Sequence, residues 1–413
     1  MTTRAGRRPS PSVAVQGLFL TSGFVIAAFF PFLALYLQDS KGFSESEIGL
    51  VVATMAVARV ILNPLWGQLA DTTLGRRTTL QIGVAGACAM SLFLASVQGV
   101  VPVAVVAFLL AGSMVTFGPN VDAIALEHLG DARMSDYGRI RAWESLSYAV
   151  GCIVFGALLQ SWGVAWAMPF SALASVLVLA WSFTVRRDRP RHVSTGDGKL
   201  GAVGAAFRTA PRLWGYLAAL FLVWAGFNAA WNFISLKIVS LGGGALLIGI
   251  GTAAGGLVEV PMMRYSSRLH ARFGLRKVYV MGALIYASGF LLWGLIDDPT
   301  IVSLLTVFEG VAFSLLFTTG VVVVGRLLPS SLYSTGNSIA QAVGFGLGPI
   351  VGAGIGGYVY QHAGPGVLYP AASMLALAGA VVAWFALAIP ELDRPGAEDV
   401  PADPAFSPPE PLG

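Results

Sequence analysis

The chain has 413 residues, of which 56% are hydrophobic and only 11% charged, with a mean hydropathy of +0.74. A soluble domain carries roughly a quarter charged residues, so long apolar blocks with short polar links place this chain in a lipid bilayer. The net charge of +4 does not point to nucleic acid, because the basic residues fall in the links between those blocks.

The basic start MTTRAGRRPSPS (1–12) precedes an apolar block ending in FFPFLALYLQDS, with no small-residue cleavage site. It reads as a cytoplasmic tail and a retained first helix, not a signal peptide. Twelve spans are predicted at about 13–37, 44–70, 77–97, 102–126, 138–160, 164–185, 212–240, 244–270, 276–296, 300–327, 332–361 and 366–390. The polar, basic loop 186–211 divides them into an N-terminal six-helix bundle (13–185) and a C-terminal one (212–390). Residues 391–413 are Pro-rich and acidic, the composition of a disordered tail. Cys88 and Cys152 both fall inside spans and are expected as buried thiols, not a disulfide framework.

Lys and Arg test this topology, because they are retained on the cytoplasmic side. With the N-terminus inside, 22 of the 25 fall in inner segments; the exceptions are Lys41, Lys237 and Arg59, the last within a helix. Both termini are therefore expected in the cytoplasm. The halves also resemble one another: LADTTLGRRTTL follows the second span and LHARFGLRKVYV the eighth, each with a Gly and a cation pair. Related halves meeting at a midplane cavity are a common plan for secondary transporters.

Ionisable groups within spans are rare and face a protein interior or a water-filled cavity. Here they are Arg59, Asp122, Arg141, Glu144, Glu259 and Glu309. In helix 5, RIRAWESLSYAV places Arg141, Glu144 and Tyr148 on one face, at i, i+3 and i+7. That stripe can bind a polar ring compound, or Arg141 and Glu144 can simply neutralise each other, with Asp122 competing as partner. Glu259 precedes Pro261, which removes a backbone donor and is expected to kink helix 8; the acid then lines a cavity or pairs with Arg264. Glu309 lies about nine residues, roughly 14 Å, into helix 10. An acid in that position is held protonated unless a cation joins it. It either carries a proton across or stays permanently neutral, hydrogen-bonded to a neighbouring helix.

Helix 7 carries FNAAWNFISLK, where Asn228, Trp231, Asn232 and Ser235 form a polar stripe, and helix 11 repeats the theme with Ser334, Asn337, Ser338 and Gln341. Such stripes line a cavity or glue helices together. Gly344, Gly348, Gly352 and Gly356 form a close-packing face, available for sliding contacts between bundles or for static packing.

These features resemble the major facilitator superfamily over residues 13 to about 390. GQLADTTLGRR is similar to the superfamily signature between helices 2 and 3, with one extra residue between Asp71 and Gly75. The resemblance implies an inner-side charge latch at Asp71, Arg76 and Arg77. Within the superfamily, FFPFLALYLQDSKGFSESEIG and the pair VDAIALEHL and YGRIRAWESLSY look like the lactose permease branch and its phenylpropionate-permease-like cousins. That likeness implies substrate contacts at Asp122 and Arg141, stacking at Tyr148, proton transfer at Glu309 and coupling at Glu259. Thr306, Ser303 and Gly289 replace a histidine, a lysine and an arginine of lactose permease. Arg59 matches the phenylpropionate-like cousins, and Glu144 replaces their usual glycine, so galactoside specificity is not implied.

The sequence thus predicts an all-α membrane protein, twelve transmembrane helices in two six-helix bundles, of the major facilitator fold. The expected activity is proton-coupled symport, importing a small polar or aromatic organic solute by alternating access. Substrate would be bound by Arg59, Asp122, Arg141, Glu144, Tyr148, Asn228, Trp231 and Asn232, with Arg59 suited to an anionic group. The alternatives are a proton-driven efflux antiporter of drugs or sugars, whose Gly-Pro pattern is missing from GCIVFGALLQ, and a receptor or scaffold that does not transport. No nucleophile with a base, nucleotide loop or metal cluster is legible, and His128, His192, His270 and His362 are scattered at helix ends. No enzyme activity, metal or cofactor is therefore expected beyond the proton as coupling ion. The expected setting is the bacterial-type inner membrane, with a monomer contacting lipid and a small-molecule solute and no nucleic acid.

Overall fold

A computed structural model describes residues 11–129, 137–186 and 199–393. Most of the N-terminal tail, the middle of the central loop and the tail from residue 394 lie outside the described residues. Among the described residues, twelve helices are long and apolar enough to cross a membrane: α1 Val13–Lys41, α2 Glu45–Leu74, α3 Arg76–Ser96, α4 Val100–Leu129, α5 Tyr137–Trp162, α6 Val164–Ser182, α7 Arg212–Ser240, α8 Ala245–Phe273, α9 Leu275–Leu295, α10 Pro299–Leu327, α11 Ser330–Ala363 and α12 Pro365–Ala386. A shorter helix, Lys199–Thr209, stands between the halves and packs on the first segment of α11.

Local chemistry sets the helix starts. Ser44 and Glu47 form a reciprocal capping box at the head of α2, and the Asp298 carboxylate accepts from the N–H groups of Thr300 and Ile301 at the head of α10. Gly75 and Gly274 open α3 and α9 with nearly the same backbone, φ 77°, ψ 159° and φ 81°, ψ 159°. A side chain there would be strained, so the glycine shared by the two similar turns has a conformational reason.

The first and fourth helices of each half are interrupted. α1 tightens to a 3₁₀ turn at Phe30–Phe32, around Pro31; α4 breaks at Val115–Thr116, α7 at Asn232–Phe233 and α10 at Leu305. Broken helices free backbone groups, which suits walls of a cavity rather than of lipid. By contrast α8 runs through Pro261 as one continuous helix.

The halves meet along two seams, α2 with α11 and α5 with α8. Both seams are closed at the end holding the links 41–45 and 240–245. There a Cβ on Gly357 would lie 2.3 Å from the Glu45 carbonyl, and one on Gly249 would lie 2.1 Å from that of Cys152. The short segments Leu33–Lys41 and Ile234–Ser240 also touch at this end. The Gly344, Gly348, Gly352 and Gly356 face of α11 does not serve a seam. It packs within its own half on α7, against Trp224, Ala225, Asn228 and Ala229. Gly346, Gly354 and Gly357, on another face of α11, meet α2 instead.

Candidate functional site

Between the halves lies a cavity of about 220 Å³. The α7 stripe supplies one wall: Asn228, Trp231, Asn232 and Ser235 all line it, so the stripe lines a cavity. Asn228 donates to the Trp224 carbonyl (2.8 Å) and Asn232 to that of Asn228 (2.7 Å), which leaves their side-chain oxygens without a protein partner among the described residues. Aromatic rings fill in around them. Trp224 makes edge contacts with Phe227 and Phe313 at 5.4 and 5.7 Å and lies 4.3 Å from Phe345. Phe227 stacks in turn on Trp231 and Tyr286.

The N-terminal half contributes Phe30 and Pro31 of the α1 break, Val52, Met55 and Arg59. The Arg59 guanidinium sits 4.8 Å from the Phe30 ring centroid. Among the described residues no carboxylate or hydrogen-bond acceptor joins it. Arg59 and Phe345 also line a second cavity of about 550 Å³, toward the end of the molecule opposite the closed seams. Its polar lining is Asn63, Asn337, Ser338 and Gln341, so most of the α11 polar stripe faces an opening as well.

Glu309 is 6% exposed, without an ion pair or hydrogen bond among the described residues. Its setting is a tight seam between α8 and α10. Ser303 donates to the Leu247 carbonyl and Thr306 to that of Gly251, both at 2.6 Å, and Ser314 donates to that of Glu259 at 3.2 Å. These acceptors step along α8 one turn at a time, and the Glu309 carboxyl lies beside the step they skip: a Cβ on Gly255 would be 3.3 Å from its Oε2. Glu259 lies about one turn further along α8 than Gly255. Phe313 and Thr252, each about one turn from this point, reach the cavity wall. The acids therefore stand beside the cavity rather than in its lining.

The α4–α5 residues form a separate cluster. Asp122 accepts from Arg141 Nη1 (2.5 Å) and from the Tyr137 hydroxyl (2.7 Å), and Arg141 also reaches Tyr137 (3.2 Å). Arg141 thus pairs with Asp122, with Glu144 within electrostatic range. Neither Asp122, Arg141, Glu144 nor Tyr148 lines the cavity of Arg59, and Tyr148 packs on Gly256 of α8. Near the α2–α3 turn, Asp71 pairs with Arg76, and Arg77 donates to the Val185 carbonyl (2.8 Å), tying that turn to the end of α6. Glu259 is half-buried among α8 and α10, and no ion pair with Arg264 forms.

The profile of the MFS_1 like family matches residues 16–371. The chain belongs to that family. It is therefore a multi-pass membrane transporter of the major facilitator type. A maltose permease of Geobacillus stearothermophilus is 28% identical over 360 residues, covering 87% of this chain and 90% of the relative. A putative nucleoside transporter of Escherichia coli strain K12, YegT, is 24% identical over 361 residues, 82% of each chain. Among solved structures, the nucleoside transporter NupG matches 92% of this chain and 99% of its own, with TM-score 0.78 and 17% identity. A D-xylose-proton symporter matches with TM-score 0.68 and 16% identity, over 91% and 96%. The family and these neighbours are transporters, not enzymes.

In this MFS transporter, sequence reasoning found the polar and ionisable groups but missed most of the aromatic wall. Phe30, Trp224, Phe227, Phe313 and Phe345 carry no contrast against apolar helices, and of these only Phe30, beside Pro31, has a local signal that could have found it. Tyr137, just ahead of the predicted fifth span, was missed as partner to both Asp122 and Arg141.

Proposed function

We propose that this transporter is a proton-coupled symporter of the bacterial inner membrane, importing a small polar or aromatic organic solute by alternating access. The observation that carries the reading is Glu309: a carboxyl buried beside Glu259, with no cation among the described residues, one turn from a cavity wall. Ionisation is costly there, so the group holds a proton until water or a cation reaches it, as happens when the cavity changes its opening. The basic links support a cytoplasmic setting for both termini. The closed seams then lie outside and the larger opening faces inward, the state that releases an imported solute. Asn228, Trp231, Asn232 and Arg59 bind the solute. The Asp122–Arg141 pair, similar to that of the lactose permease branch, contacts it on the inner side.

The test is uptake in vesicles with an imposed proton gradient. Glu309→Gln is expected to lose uphill accumulation while keeping downhill exchange. Full uphill accumulation by that variant sinks the proton role, and solute leaving as protons enter makes the protein an antiporter.

A further inference from the structure

The end of α8 away from the closed seams has two unlike sides. Gly255 and His270 face α10: a Cβ on Gly255 would lie 2.9 Å from the Thr306 carbonyl, and His270 Nε2 meets Thr319 Oγ1 at 2.9 Å. On the other side Leu257, Pro261, Arg264, Arg268 and Arg272 recur three or four residues apart, and all five are exposed. None of the three arginines has an ion pair among the described residues. Their contacts are ring faces of the same helix, Arg268 with Tyr265 at 5.9 Å and Arg272 with Phe273 at 5.2 Å.

Topology alone does not require this stripe, because the matching stretch of α2, residues 61–74, holds no Lys or Arg. The helix dipole acts over the last turn, which takes in Arg272 but neither Arg264 nor Arg268. Three like charges a turn apart repel one another, and no Asp or Glu occurs between Glu259 and Asp297 to offset them. Depth adds a second constraint. α8 begins at Ala245, so Arg264 stands about 28 Å and Arg272 about 40 Å along it, against a hydrocarbon layer about 30 Å thick. Leu257 and Pro261 therefore lie at acyl-chain depth and the arginines at headgroup level, with the exposed Tyr265 where interfacial rings sit. The face is continuous, apolar first and cationic at its end.

We infer that this face is a binding site for an anionic phospholipid, its phosphate held by Arg264 and Arg268 with Arg272 beyond them, and its acyl chains lying along Leu257 and Pro261. Guanidinium forks match phosphate oxygens two at a time. A zwitterionic headgroup brings a cation of its own against the stripe, and an anionic one does not. A soluble acidic segment would satisfy the arginines but leave the apolar part of the same face unaccounted for. The inference places a ligand on the outside of the bundle and does not rest on the proton, the solute or the direction of transport.

The experiment is equilibrium binding to the purified full-length protein in neutral detergent. The probes are phosphatidylglycerol and phosphatidylcholine carrying the same fluorescent acyl chain. Phosphatidylglycerol is expected to bind tenfold or more tightly, at roughly fivefold per engaged cation. Arg264→Gln, Arg268→Gln and Arg272→Gln combined should bring the two lipids within twofold of each other, while Arg264→Lys, Arg268→Lys and Arg272→Lys combined should keep part of the preference. Arg186→Gln, Arg208→Gln and Lys277→Gln combined remove the same charge from other exposed positions and should leave the preference intact. All three variants should elute as the native protein does. Equal binding of the two lipids, a preference that survives the first variant, or one lost equally in the third overturns the inference. Displacement of the labelled lipid by equimolar inorganic phosphate also overturns it, since the site would then take the free anion. So does a tenfold gain in lipid affinity on combining Glu398→Gln, Asp399→Asn, Asp403→Asn and Glu410→Gln, which would assign the stripe to the chain's own acidic segment.

Discussion

Gln160 on α5 accepts from the Leu246 N–H at the head of α8 (3.4 Å), and Gln361 on α11 accepts from the Ser46 N–H at the head of α2 (3.2 Å). Each glutamine crosses from one half to the other, and each satisfies a backbone donor that a helix start leaves open. The two bonds are related by the same pseudo-symmetry as the seams, and both lie at the closed end. They are exposed and weak singly, so the closed end is held by shape and trimmed by these caps.

Replacing both glutamines with leucine should therefore favour opening at this end by about 1–2 kcal/mol. Cys152, buried beside Gly249, reports it. In a Cys88→Ser background, alkylation of Cys152 by N-ethylmaleimide is expected to rise several-fold. Gly249→Ala should raise it further, because the new Cβ would lie 2.1 Å from the Cys152 carbonyl. Unchanged alkylation in all of these variants would mean that the seam does not close the pathway.

Lys41 and Lys237, the two cations on the wrong side of the charge count, have a structural use. Lys41 donates to the carbonyls of Ala95 and Val97 at the end of α3 (2.9 and 2.8 Å), and Lys237 donates to that of Trp293 near the end of α9. Each thus satisfies helix C-terminal carbonyls at the negative end of the dipole. Lys237 is buried and Lys41 only partly so. Lys237→Met is expected to cost about 2 kcal/mol in a detergent unfolding titration, and Lys41→Met about 1 kcal/mol. Equal, negligible effects would refute the capping role.

Asp122 and Arg141 should behave as one unit. Removing either leaves the other as an uncompensated charge beside Tyr137, so Asp122→Asn and Arg141→Gln each impair transport by tenfold or more. The double variant should be no worse than the poorer single one. Additive losses would show that the two act separately, as independent substrate contacts.

Periodicity made the walls partly legible beforehand. Asn228, Trp231, Asn232 and Ser235 stand out against an apolar helix, and all four reach the cavity. The α11 glycines were equally visible, yet their partner was not: a glycine face says that something comes close, and α7 rather than the opposite half turned out to be it. Trp224 and Phe313 were invisible, since an aromatic ring facing a cavity and one facing lipid are the same letter in an apolar run.

What the sequence by itself determined is the number of crossings, the likeness of the two halves and the acids lodged in apolar helices. These follow from hydropathy and charge placement, which act residue by residue against the bilayer. Tertiary structure alone decided that Arg59 has no acid among the described residues, that Arg141 has Asp122, and that the Glu309 carboxyl lies beside Gly255 in the α8–α10 seam. Pairing depends on which helices become neighbours, and that choice is made by packing between segments far apart in the chain.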